Sequence, residues 1–172
     1  LKTGQDLKIH GGVTEKTMGL EKTKRVIGLG GIFFKAKDPQ KMYEWYGKHL
    51  GIQGKPEEGA MFPWRRAVDP SQESFTVWSI FPHHTKYFDP STAPFMINYQ
   101  VENLDAVLEV LRAEGVTIDP KREDYDYGRF AWIMDPEGNR IELWEPRTRR
   151  NNLHYGDTEA RRKPFRNLKR PY

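Results

Sequence analysis

Glu142 is the residue of this chain best placed by its neighbours to do chemistry. It lies in the segment R-I-E-L-W-E-P (140–146), between Trp132 and Trp144 in sequence. A poorly hydrated carboxylate among indoles can act as a general acid or base, or anchor a cationic or hydroxylated ligand. It can equally be a structural acid, hydrogen-bonded inside the fold to Arg129 or Arg140. The adjacent His83 and His84 read as a surface pair, because no carboxylate sits at a spacing that would complete a metal site with them. The stretch K-R-E-D-Y-D-Y-G-R (121–129) mixes acids, arginines and two tyrosines. It reads either as a solvated hairpin loop or as a cover over a cavity mouth through Tyr125, Tyr127 and Arg129. Gly28, Gly30 and Gly31 do not make a dinucleotide loop, because the sequence continues as a strand and opens no helix. Glycine inside a strand marks a bulge or a close backbone approach. There is no G-x-S-x-G and no P-loop. Cysteine is absent, which excludes thiol nucleophiles, thiolate ligands and disulfides.

The elements that must position these groups come as two similar copies. Val26 to Ala36 reads as a strand from its β-branched and aromatic content. Asp38 and Pro39 start a helix with Met42, Tyr43, Tyr46 and Leu50 on one face, and Gly51 stops it. Ala60–Arg66 and Phe75–Phe81 follow as strands, with a turn at 70–73. The second copy has a strand from Phe95 to Val101 and a helix capped by Asn103, with Leu104, Val107, Leu108 and Leu111 facing one way; Gly115 ends it. A short strand at Val116–Ile118 leads to the strands Gly128–Met134 and Arg140–Glu145, joined by the turn D-P-E-G-N. Gly31 matches Met96, Gly51 matches Gly115 and Trp78 matches Glu142, at offsets of 64 or 65 residues. The chain therefore divides into an N-terminal extension (1–25), a first βαβββ unit (26–82), a Pro-rich polar linker (83–93), a second βαβββ unit (94–146) and a C-terminal tail (147–172).

With 172 residues the chain can bury a substantial core. Net charge is +4, but the tail from Arg147 carries nine Lys/Arg against Asp157 and Glu159, which leaves the remainder slightly acidic. The tail reads as a solvated segment or an arm for a partner subunit; nucleic-acid binding is not expected, because no recognition motif accompanies the charge. No apolar run is long enough to span a membrane, and residues 1–24 lack the apolar centre of a signal peptide. A cytoplasmic location fits these features.

The motifs F-F-K-A-K-D-P-Q-K-M-Y-E-W-Y and W-I-M-D-P-E-G-N-R-I-E-L-W-E-P resemble those of the vicinal oxygen chelate superfamily, the glyoxalase, bleomycin-resistance and extradiol-dioxygenase group. The resemblance covers about residues 26–146. It implies an α+β fold in which two βαβββ units curl into an incomplete barrel around a cavity, and a homodimer is common among such proteins. In metal-using relatives four cavity-facing positions, from the first and last strands of each unit, hold a divalent ion. By motif those positions fall on Gly31, Trp78, Met96 and Glu142, with Ser79 in place of Trp78 if the second slips by one. Only Glu142 supplies a hard oxygen ligand, so no catalytic metal and no other cofactor is expected.

Alternation along the strands then gives the lining. Phe33, Trp78, Met96, Asn98, Gln100 and Trp144 share the inward parity, with Trp64 and Trp132 on neighbouring strands and Tyr127 and Arg129 at the mouth. Such a surface suits a small, partly aromatic or amphipathic ligand held by stacking and a few hydrogen bonds. It also suits a plain aromatic core. The function expected is small-molecule binding without a catalytic metal. The alternatives are a metal-independent lyase or isomerase using Glu142 as acid or base, a metal-dependent glyoxalase or dioxygenase, and an assembly protein using its basic tail.

Overall fold

The computed structural model describes residues 25–147. The expectations placed on the N-terminal extension before Arg25 and on the basic tail after Arg147 lie outside these residues. The first half contains β1 (Gly28–Ala36), α1 (Pro39–Leu50), β2 (Ala60–Arg66) and β3 (Asp69–Pro82). The second contains β4 (Phe95–Gln100), α2 (Leu104–Ala113), β5 (Ile118–Tyr125), β6 (Gly128–Met134) and β7 (Arg140–Pro146).

Local chemistry sets the helix ends. The Asp38 carboxylate accepts from Lys41 N and Asn103 Oδ1 accepts from Ala106 N, each answering one orphan donor of a first turn. Gly51, at φ 69°, takes the left-handed turn that closes α1. Between α1 and β2 the chain makes only the bridge Lys55–Gly59, so the first half has three strands where four were expected. Gly54, Pro56 and Gly59 interrupt that stretch, and both Glu57 and Gly59 sit at φ 70°.

Two further boundaries differ from the sequence reading. Residues 70–73 are not a turn; they lie inside β3, and the β2–β3 hairpin reverses at Ala67 and Val68. The hairpin is lengthened by Arg65 Nη2 donating to Glu73 at 2.7 Å. Residues 121–125 are not loop but strand β5, paired with β6. β5 is the last strand of the sheet, so its Pro120 removes no ladder bond on an inner strand, and its Lys121, Arg122 and Asp124 stay exposed.

The seven strands form one mixed sheet in the order β2-β3-β1-β4-β7-β6-β5, open at β2 and β5. In each half the first strand pairs parallel with the last: β1 with β3, and β4 with β7. The halves join through the antiparallel pair β1–β4. The sheet is curled. The rings of Phe75 on β3 and Trp144 on β7 lie 5.4 Å apart, although β1 and β4 stand between those strands. α1 packs Tyr43 against Ala60, Trp78 and Ile80 on the convex face, and α2 packs Leu104, Val107 and Leu108 against Ala131 and Leu143. The concave face carries the largest aromatic cluster: Phe33, Val77, Phe81, Met96, Phe130, Trp132 and Trp144, closed by Tyr87 and Phe88 from the linker.

Candidate functional site

The concave face centres on Glu142, which is fully buried. Cross-strand register puts it directly beside Asn98 on β4 and Trp132 on β6. Asn98 Nδ2 donates to Oε1 at 2.6 Å, Trp132 Nε1 donates to Oε2 at 3.0 Å, and the Tyr87 hydroxyl also donates to Oε2. The carboxylate is thus held by three neutral donors. Neither arginine expected beside it takes that place. Arg140 lies over the Trp132 ring at 4.9 Å and donates to the carbonyls of Tyr87 and Asp89 and, at 2.7 Å, to Asp119. Arg129 points away from the concave face. It bridges Asp105 at 2.5 Å and Glu145 at 2.6 Å, and Glu145 also accepts from Leu104 N at the start of α2. These contacts raise the Arg129 guanidinium above its ordinary pKa, the Glu145 hydrogen bond first, while hydrogen bonds from Arg122 and then Arg129 hold Asp105 below the usual carboxylate range. Arg129 sits opposite Glu145, and its neighbour Phe130 takes the inward parity.

The glycines of β1 explain how polar side chains from β4 reach so far. An added Cβ on Gly30 would overlap Asn98 Oδ1 and stand 3.0 Å from Gln100 Cγ. On Gly28 it would run into the Trp64 ring, 2.6 Å from Cζ2. β1 is therefore a bare stretch of backbone, with a register shift between Leu29 and Gly31, across which its neighbours lie. Gln100 reaches over it, donating to Phe75 O at 2.9 Å and accepting from Ser74 Oγ at 2.7 Å, both on β3. Trp64 Nε1 donates to Thr76 Oγ1, which in turn donates to Leu29 O.

Of the residues read from sequence as lining, Phe33, Met96, Asn98, Gln100, Trp132 and Trp144 all lie buried on the concave side. Tyr127 stacks on Tyr125 at 5.1 Å and packs at the edge of that cluster. Trp78 does not belong there. Its ring meets Tyr43 at 5.5 Å and Tyr46 at 4.8 Å beneath α1. The register shows why. Phe33 pairs with Ser79 as Asn98 pairs with Glu142, so Ser79 is the counterpart of Glu142 and Trp78 falls on the opposite face. The linker residues Tyr87 and Phe88 are the part of this site that the sequence reading missed. Two adjacent aromatics in an otherwise polar, Pro-rich linker were the available signal.

The four positions named from the motif offer little to a hard cation. With the register corrected they are Gly31, Ser79, Met96 and Glu142, and both carboxylate oxygens of Glu142 face N–H or O–H donors. Among the described residues no group of three or more His, Cys, Asp or Glu could hold a metal ion.

The family model for the glyoxalase/bleomycin resistance protein/dioxygenase superfamily matches residues 28–143, and the chain belongs to that superfamily. No curated protein matches it in sequence. Among solved structures it is similar to a variant of Streptomyces coelicolor methylmalonyl-CoA epimerase in complex with 2-nitronate-propionyl-CoA. That likeness has 15% identity and a TM-score of 0.53, and covers 74% of this chain and 99% of the other. It is also similar to methylmalonyl-CoA epimerase from Mycobacterium tuberculosis, at 25% identity and a TM-score of 0.48, over 73% of this chain and 92% of the other. The first likeness is one of fold. Among the described residues no helix is long and apolar enough to cross a membrane.

Proposed function

We propose that this protein binds a small, partly aromatic or amphipathic molecule at the concave face of its sheet, beside Glu142, without a catalytic metal. The observation that carries this reading is the buried carboxylate itself. Filling a core requires only apolar groups, and a carboxylate buried there carries a desolvation cost that its three donors must offset. Here it stands among Phe33, Phe81, Trp132 and Trp144. Those side chains offer stacking surface, and the carboxylate offers orientation to a ligand whose donor takes the place of the Tyr87 hydroxyl. The metal-independent lyase or isomerase reading is the weaker one. Both Glu142 oxygens already accept hydrogen bonds, and a substrate proton would have to displace one of those donors. We also infer a homodimer, a reading supported by Ile32, Trp45 and Phe95, which remain exposed.

The test is titration of the full chain with 8-anilinonaphthalene-1-sulfonate, a planar amphipathic probe, followed by tryptophan quenching. Saturation near one equivalent per chain is expected, with no change in melting temperature on adding EDTA or Mg2+, Mn2+ or Zn2+. A tightly held stoichiometric cation would overturn the metal-free reading. Quenching that never saturates would overturn the binding reading.

A further inference from the structure

Tyr87 belongs to neither half of the sheet. It comes from the segment between β3 and β4, where His83, His84, Lys86, Asp89 and Pro90 are all exposed. Yet its side chain is buried at the centre of the concave face, 8% exposed. Its ring lies flat on Phe81, 5.4 Å between centroids and 4° between planes. The edge of Trp132 meets it at 6.1 Å and 89°. Its hydroxyl donates to Glu142. Phe88 lies against Phe81 at 5.4 Å, under Lys35 at 5.0 Å.

Strands of the sheet supply the flat wall, the edge wall and the acceptor, and the connecting segment supplies the ring between them together with its neighbour Phe88, 6.4 Å away. A flat wall, an edge wall and an anionic acceptor at the far end are the complement of a phenol. A hydrocarbon ring could not replace the hydroxyl that donates to Glu142 Oε2. We propose that Phe81, Trp132 and Glu142 form a socket for a phenolic ring, occupied by Tyr87 in the closed chain, and that the ligand is a phenol-bearing molecule that exchanges with Tyr87. This rests on the reading that the concave face binds a small molecule, and it names that molecule's class. No bond is made or broken. The ligand's hydroxyl proton replaces that of Tyr87 as the one shared with Glu142, and the displaced side chain moves outward as the linker gives up the bonds from Arg140 to the carbonyls of Tyr87 and Asp89.

p-Cresol reproduces the tyrosine side chain and toluene reproduces that of phenylalanine, so the pair tests the socket directly. With the full-length protein, p-cresol should quench tryptophan fluorescence saturably, with at least tenfold preference over toluene. Its binding should also speed tryptic cleavage after Lys86. Tyr87→Phe keeps the packing and removes the competing hydroxyl, so p-cresol should bind it several-fold more tightly. Tyr87→Ala should bind p-cresol at least tenfold more tightly than the native chain and gain melting temperature on doing so. If Tyr87→Ala and Tyr87→Phe bind p-cresol no better than the native chain, the socket is wrong. If only Tyr87→Ala binds it, Tyr87 is a permanent part of the core and the exchange is wrong. If the native chain binds 8-anilinonaphthalene-1-sulfonate but shows no preference for p-cresol over toluene, the binding face stands and the phenol assignment alone fails.

Discussion

The two halves of the molecule share one parallel strand pairing and differ widely in chemistry. In each, the first strand runs parallel to the last and brings one inward residue from each side by side: Phe33 with Ser79 in the first half, Asn98 with Glu142 in the second. The first pair packs a ring beside a small hydroxyl. The second assembles a buried acid with its donors. The shared pairing therefore fixes where inward side chains stand and leaves their chemistry free. In this chain nearly all of the polar investment of the concave face lies in the second half, while the first supplies rings and bare backbone.

The sharpest way to break that comparison is to truncate both counterparts. Glu142→Ala should destabilise the chain by about 3–5 kcal/mol, because three buried donors lose their acceptor at once. Ser79→Ala should cost no more than about 1 kcal/mol. Urea denaturation measures both, and equal losses would mean that the halves do not differ in this way. A smaller effect probes the dependence of one half on the other. Gly30→Ala should cost about 1–3 kcal/mol through its clash with Asn98 and Gln100. Combined with Asn98→Ala it should cost less than the sum of the two single changes, by about 0.5 kcal/mol or more. Strict additivity would contradict the overlap.

The smallest effect concerns acid, where the halves should behave alike. Asp69 is held below the usual carboxylate range by the Ser71 hydroxyl and then the Ser71 backbone N–H; Asp135 is held there by the Asn139 side chain and then the Asn139 backbone N–H. Both shifts lower the folded-state pKa. Their stabilisation is therefore present above the unfolded value and disappears as pH falls below about 4. Asp69→Asn and Asp135→Asn should each flatten the acid side of a plot of melting temperature against pH. A change confined to one of them would show that the turns are not energetically equivalent.

What the sequence disclosed was mostly what neighbouring residues decide among themselves. Asp38, Asn103 and Gly51 announce the helix ends because caps act within one turn. The turn D-P-E-G-N is legible for the same reason: Asp135 accepts from the backbone of Glu137 and Asn139. The face of Trp78 was not legible. In F-T-V-W-S-I-F both sides of the strand are buried, so alternation gives no parity signal, and a slip of one residue reverses every side chain. β5 was read as loop because an edge strand can be polar throughout. The role of Tyr87 depends on a contact with Glu142 across 55 positions of chain, which no local pattern carries.

The bare backbone of β1 has an evolutionary consequence. Positions 28 and 30 are kept small by atoms from β2 and β4, so each is coupled to residues far away in sequence: Gly28 to Trp64, and Gly30 to Asn98 and Gln100. Such positions cannot drift singly. In any descendant of this chain, a side chain gained at 30 should arrive together with one shortened at 98 or 100. Through Gly30 the two halves are unable to diversify apart at this seam.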